Sequence, residues 1–217
     1  MFVYHGAVVP GQRSLFASGD PAVDPGARWE RIELGDGSWV DVVRGHLRGA
    51  DAVLDELVAT VPWRSSRRHM YDRVVDDPRL SYRYQPGEPV PHPELARVRE
   101  QLIERYHVPF GELALNLYRD GRDSVAFHRD RELRELDDTL VAILTLGARR
   151  PFRIRPFGTA GARSRDLAPD SGDLLVMGGT CQREWEHGVP KVASAGPRVS
   201  AMWRWSNPLG TAEADAG

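Results

Sequence analysis

The chain has 217 residues, 41% of them hydrophobic, with a formal net charge of −2 and a pI near 6.4. That length suits one domain, or one domain with a modest N-terminal extension, and the apolar share is enough for a core. The charge excludes a uniformly basic nucleic-acid-coating protein, so any positive charge for such a partner must be local. A single cysteine, Cys181, excludes an intramolecular disulfide framework and a cysteine-based zinc site, and fits a reduced, cytoplasmic setting. The start, Met1 to His5, lacks a charged n-region, and nothing approaches a transmembrane span, so the expectation is a monomer without membrane attachment.

Residues 1 to 47 are rich in glycine, proline and turn signals, with one short strand expected at Trp39 to Val43. Ala52, Val53, Leu54, Leu57 and Val58 predict a first amphipathic helix within 48–62, ended by Pro62. We take 1–62 as an extension packed on the core, 63–206 as the main domain and 207–217 as a disordered tail. From Trp63 to Arg73, four arginines interleave with Trp63, His69 and Tyr71. Such a segment is either a solvated loop or a surface where arginines meet phosphates and rings stack on bases. Tyr82 and Tyr84 alternate like residues of an edge strand. Leu95, Val98, Leu102 and Tyr106 predict a second helix over Pro93 to Tyr106, with Pro93 suited to its first turn.

After Gly111 the period changes to two. Leu113, Leu115 and Leu117 face one way, Asn116 and Tyr118 the other. An Asp120-Gly121 turn is expected to lead into Val125 to Asp130 as the hairpin partner of that strand. Leu140 to Leu146 is almost continuously apolar, which implies burial on both faces. Further strands are expected at Phe152 to Pro156, Leu174 to Met177 and Val199 to Trp205. Roughly eight short strands after two helices predict a mainly β fold with flanking helices (α+β), built on a double-stranded β-helix or jelly roll.

The chemistry centres on His128-x-Asp130, whose side chains share one face of a strand. With a distal histidine they would form the 2-His-1-carboxylate set that leaves open positions on non-haem Fe(II). His187, between Gly178-Gly179 and Gly188-Val189-Pro190, is that candidate. The remaining histidines, His5, His46, His69, His92 and His107, lack ligand-like company and read as surface or packing residues. Arg198 and Arg204 are six residues apart on one strand face, their backbones about 20 Å apart at about 3.3 Å per residue. Two guanidinium forks leaning inward would bracket a small dicarboxylate. Cys181 has no adjacent base and reads as a packed thiol. A barrel holding Zn or Mn without redox chemistry, and a silent nucleic-acid-binding module, remain open on these residues alone.

The ordered set Asn116-x-Tyr118, Asp120-Gly121, His128-x-Asp130-x-Glu132, Leu146-Gly147-x-x-Arg150-x-Phe152, Gly172-Asp173-Leu174-Leu175, His187 and Arg198 to Arg204 resembles the AlkB family of Fe(II)- and 2-oxoglutarate-dependent dioxygenases. The likeness covers roughly residues 60 to 206 and is strongest to members that repair alkylated nucleic acid. It implies Fe(II) held by His128, Asp130 and His187, and 2-oxoglutarate held by Asn116, Tyr118, Arg198, Arg204 and Ser200. The position of Arg198 is the one that clamps the far carboxylate, while Arg204 meets the chelating end or braces Asp130. It implies O2 as oxidant, hydroxylation of an N-alkyl carbon in a base, and collapse of the hemiaminal to free base and aldehyde. The expected substrate is alkylated DNA carrying lesions of the 1-methyladenine or 3-methylcytosine type, single-stranded or with the base flipped out; RNA or tRNA is the rival. Glu132 would meet the base. Arg67, Arg68, Tyr71, Tyr82 and Tyr84, in recognition loops over 63–90, would meet the strand. Arg131 replaces an acidic residue common in close relatives, and Ser200 replaces the usual asparagine between the two arginines.

Overall fold

A computed structural model describes residues 19–70, 73–159 and 161–207, with the side chains of 66–70 and 73–76 outside the description. Short strands β1 (Ala22–Val23) and β4 (Leu47–Arg48) pair around the hairpin of β2 (Trp29–Gly35) and β3 (Ser38–Val43). Helix α1 (Ala50–Thr60) follows, then the hairpin of β5 (Arg64–Met70) and β6 (Arg73–Arg83), then helix α2 (Pro93–Tyr106). The remaining chain forms β7 (Ala114–Tyr118), β8 (Val125–His128), β9 (Thr139–Gly147), β10 (Arg153–Pro156), β11 (Arg165–Asp166), β12 (Leu174–Gly179), the single-turn α3 (Cys181–Glu184), β13 (Trp185–Val189) and β14 (Arg198–Ser206).

The eight strands from β7 to β14 divide four and four. The major sheet runs β2-β3-β12-β9-β14-β7-β6-β5, and the minor sheet β11-β10-β13-β8. This is the expected jelly roll, extended on one side by β2 and β3 and on the other by β5 and β6. Among the described residues no helix is long and apolar enough to cross a membrane.

Period-two patterning explains why the major sheet has two dry faces. Leu140, Ala142, Leu144 and Leu146 of β9 meet α1 and α2 through Leu54, Leu57, Leu95, Val98 and Leu102. Val141 and Ile143 point the other way, toward Ile154, Phe152 and Val189 of the minor-sheet side. Both helices begin and end where the sequence places breakers. The side chain of His92 caps α2 by accepting from the Glu94 amide at 3.1 Å, Pro93 fills the first turn, and His107 closes it in the left-handed region. Helix α1 ends at Thr60, ahead of extended Val61 and Pro62.

One expectation fails. Strand β8 is not the hairpin partner of β7: β7 pairs with β6 and β14, while β8 lies in the other sheet beside β13. The turn between them is held open by charge. Arg119 grips Asp123 through two side-chain hydrogen bonds of 2.8 and 2.9 Å. The buried Arg150 donates to the carbonyls of Asp120, Asp123 and Pro190, each at 2.9 Å. Those bonds satisfy the turn's backbone without a ladder and steer the chain from one sheet to the other.

Gly147 ends β9 with φ at +88°, and a Cβ there would lie 2.5 Å from the Pro197 carbonyl oxygen and 2.6 Å from Leu54. Gly147→Ala is therefore expected to lower stability by more than about 1 kcal/mol, read as a lower urea midpoint with unchanged slope. An unaltered midpoint would mean that this crossing of β9, β14 and α1 is not held as tightly as described.

Candidate active site

His128 and His187 are directly paired across β8 and β13, and their rings lie 4.4 Å apart between centroids. The pairing sends both imidazoles into the space between the sheets. Asp130 arrives differently from the sequence expectation. Strand β8 stops at His128, and Asp130 starts a turn in which its carbonyl accepts from the Leu133 amide at 2.9 Å. Its own amide donates to the buried Gln182 side chain at 2.9 Å, so α3 sets its position. The outcome is the one that strand alternation would have given: an Asp130 oxygen stands 3.6 Å from His128 Nε2. One ligand atom from each of the three residues lies within 4.8 Å of the others.

The protonation states suit a cation. Burial, aided by the neighbouring His128, pushes His187 down to about 3, so its imidazole is neutral at physiological pH. Phe152 stacks on it, with 18° between planes. His128 Nδ1 lies 3.0 Å from the Ala126 carbonyl; with the proton there, Nε2 turns a lone pair toward Asp130. Burial alone would raise the Asp130 carboxyl. His128, Arg204 and His187 outweigh it and hold the group well below the usual carboxylate range.

These groups line a cavity of about 310 Å³, together with Asn116, Tyr118, Ser200, Met202 and Arg204. Asn116 and Tyr118 come from β7, and Ser200, Met202 and Arg204 from the same face of β14. Arg198 stands on that face beyond Ser200, fully buried. Its Nη2 donates to Thr145 Oγ1 at 3.1 Å, and its guanidinium lies 5.3 Å from the centre of the Tyr118 ring. Its Nε and Nη1 are buried without a partner among the described residues. Burial, with Arg150 nearby, pulls it down to about 10, still charged at neutral pH.

A protein-family model described as the 2OG-Fe(II) oxygenase superfamily matches residues 48–209. The chain is 34% identical over 177 residues to "Alpha-ketoglutarate-dependent dioxygenase alkB homolog 3" of Bos taurus, across 73% of this chain and 62% of that protein. It is 31% identical over 119 residues to "DNA oxidative demethylase ALKBH2" of Mus musculus, across 52% of this chain and 50% of that one. Among solved structures, OsALKBH1 superposes with a TM-score of 0.55 at 15% identity, covering 80% of this chain and 100% of that chain, a likeness of fold. The chain belongs to the 2OG-Fe(II) oxygenase superfamily. It spans a little over three-fifths of the length of the first of these relatives, 62%.

The donor set of this chain fits Fe(II): two imidazoles and one carboxylate on one wall, with the rest of the cavity free for further ligands. The co-substrate end fits as well, because a buried guanidinium with two unpartnered nitrogens is shaped for an incoming carboxylate. Arg204 is placed at the metal end. Its Nε donates to Asp130 at 2.6 Å, so it braces a ligand rather than bracketing a dicarboxylate from the far side.

The substrate expectations are corrected by strand parity. Tyr82 pairs in register with Leu115, and Leu80 with Leu117, so Tyr82 and Tyr84 point to the helix side of the major sheet. Tyr84 is buried in that core, and the Tyr82 hydroxyl donates to Glu88 at 2.5 Å. The residues of β6 on the cavity side are Arg79 and Ser81; Arg79 lines the cavity and was missed. Leu80 as a core residue was the available signal. Glu132 is exposed and lines a separate depression with Leu133, Arg83 and Arg204. Tyr71 and the side chains of Arg67 and Arg68 lie outside the described residues.

The Arg204–Asp130 pair has a readable pH signature. A carboxyl whose folded pKa is depressed stabilises the fold above its unfolded value of about 3.9, and that contribution is lost as pH falls. Arg204→Met should therefore destabilise most at neutral pH, and its deficit against the parent should shrink below about pH 4. Urea midpoints at several pH values measure this; a deficit independent of pH would remove Asp130 as the partner that matters.

Proposed function

We propose that this chain is an Fe(II)- and 2-oxoglutarate-dependent oxygenase that removes N-alkyl groups from bases in DNA. The observation that carries the reading is one cavity with two ends: the His128, Asp130 and His187 cluster at one, and the buried, unpartnered Arg198 nitrogens behind the other. A silent binding module or a non-oxidative metal barrel has no use for that second feature, since an uncompensated buried cation is costly. The nucleic-acid substrate is supported by the relatives, whose names are those of an alkB homolog dioxygenase and a DNA oxidative demethylase. The single buried cysteine fits a reducing compartment, which we take to be the cytoplasm.

With iron, 2-oxoglutarate and O2 bound, the site would yield succinate, CO2 and a hydroxylated N-alkyl carbon, whose hemiaminal breaks to free base and aldehyde. The residues of this chain bind and aim. His187 would offer a neutral nitrogen and Asp130 an ionised oxygen at physiological pH, with His128 presenting Nε2 beside them. Arg204 and the Gln182 side chain fix Asp130 from two directions. Arg198 would take the distal carboxylate of the co-substrate in its fork, with Tyr118 and Thr145 beside it. Phe152, Val189, Ile143 and Met202 supply the apolar wall that keeps water from the reacting carbon.

Two outcomes are expected. His187→Ala should weaken Mn(II) binding, followed by electron paramagnetic resonance, by at least about 10-fold, and unchanged Mn(II) affinity would remove His187 from the ligand set. Methylated single strands incubated with Fe(II), 2-oxoglutarate and ascorbate should lose the methyl group by mass spectrometry, with formaldehyde and succinate formed together. Succinate release with every methylated base intact would refute the substrate assignment.

A further inference from the structure

The sequence from Thr139 to Arg165 contains six arginines, Arg149, Arg150, Arg153, Arg155, Arg163 and Arg165, and no acidic residue. In a chain of net charge −2 that is a strong local bias. Arg150 is buried in the turn described above. The others lie on β10, β11 and the turns beside them: Arg153 and Arg155 share the outer face of the minor sheet, and Arg165, paired with Ile154, stands on the opposite face at the exposed edge strand. Arg153, Arg163 and Arg165 are exposed and form no ion pair among the described residues, whereas Arg155 is paired with Glu186 at 2.6 Å.

Two aromatic rings lie among these arginines. Arg155 stacks over Phe127 at 4.0 Å from its centroid, and Arg129 over Phe157 at 3.6 Å. Phe157 is 48% exposed, one of two large hydrophobic side chains that the described residues leave in solvent. Its amide is tied to the Glu184 carbonyl at 2.8 Å, so the ring stands on a fixed backbone. The Arg129 guanidinium is pinned at one edge by the Arg183 carbonyl at 2.9 Å. Arg129 also lines the active-site cavity, so this aromatic shelf begins at the cavity rim.

We infer that the shelf formed by Arg129 and Phe157, with the exposed arginines of β10, β11 and their connecting turn, binds the nucleotides that flank the target base of a single-stranded nucleic acid. The inference rests on the proposed reading of the cavity as the target-base site. A lone exposed ring among arginines is a poor seat for an apolar protein partner, which needs a contiguous patch. It is a good seat for a strand, because any base offers a flat face to stack and every linkage offers a phosphate. The cavity takes one nucleotide, and the strand leaving it at the Arg129 rim meets Phe157 next.

The test uses the full-length protein and fluorescence anisotropy with oligodeoxythymidine of about 5 and about 15 nucleotides, bracketing the site sizes of single-strand binders. Phe157→Ala should weaken binding of the longer strand about fivefold or more, with Phe157→Trp restoring it. Arg163→Ala with Arg165→Ala should flatten the salt dependence by about 0.7 in logarithmic slope for each phosphate that is no longer neutralised. Turnover of a methylated mononucleotide, which has no flanking nucleotide to reach the shelf, should be unchanged in Phe157→Ala. Equal affinity of parent and Phe157→Ala for the longer strand overturns the shelf while leaving the proposed reaction standing. A loss confined to duplex binding also overturns it, since the face would then serve a second strand. If the parent dealkylates nothing but Phe157→Ala still loses long-strand affinity, the shelf stands and the proposed reaction falls.

Discussion

A fully buried positive charge governs the interior of this protein. Arg198 is wholly buried between the two sheets and retains two nitrogens without partners among the described residues. A charge removed from water is tolerated only when it is paired and hydrogen-bonded, so the surroundings of Arg198 are arranged around supplying the rest. Thr145 accepts one bond and Tyr118 presents its ring. Arg150, the second fully buried arginine, turns both terminal nitrogens to three backbone carbonyls and leaves only its Nε without a partner, whereas Arg198 leaves Nε and Nη1 for an external anion. An anionic co-substrate entering this cavity would complete an unfinished hydrogen-bond set.

The rest of the fold makes that position possible. Helices α1 and α2 take the apolar alternates of β9, β14 and β7, which frees the other alternates to be polar and still be buried. On that second face Asn116, Tyr118, Ser200 and Arg204 look across to His128 and His187 on the minor sheet. The jelly roll therefore divides the residues of the cavity: the major sheet carries Arg198 and the polar side chains beside it, and the minor sheet the paired histidines. Asp130 and Arg204 join the two, one from each sheet's neighbourhood, at 2.6 Å.

Much of this was legible in the sequence because period-two alternation is a short-range signal. Leu113, Leu115 and Leu117 against Asn116 and Tyr118, and the doubly buried run from Leu140 to Leu146, read correctly from spacing alone. The helix over Pro93–Tyr106 read correctly because its capping residues are local too. Long-range facts did not. Whether β7 and β8 pair depends on Arg150, whose bonds reach across turns far apart in sequence. Tyr82 and Tyr84 were assigned by their chemistry, whereas Leu80 between β5 and β7 decides that they face the helices. Asp130 reached its expected place by a turn and the Gln182 side chain, a coincidence of geometry that alternation within a strand does not explain. The role of Arg204 was open in the sequence, since the same residue suits a co-substrate contact or a brace; only its distance to Asp130 decides between them.

The central claim is that Arg198 is built to receive a carboxylate distant from the metal. It is tested most directly by anaerobic calorimetry of the Mn(II)-loaded protein with 2-oxoglutarate and with 2-oxopentanoate, which has the same chain but lacks the far carboxylate. Losing one side of a buried hydrogen-bonded charge pair costs about 2–5 kcal/mol, so the parent should bind 2-oxopentanoate about 30-fold more weakly or worse. In Arg198→Met that preference should disappear. Equal affinity of the parent for both acids, or a preference that survives in Arg198→Met, would contradict the account.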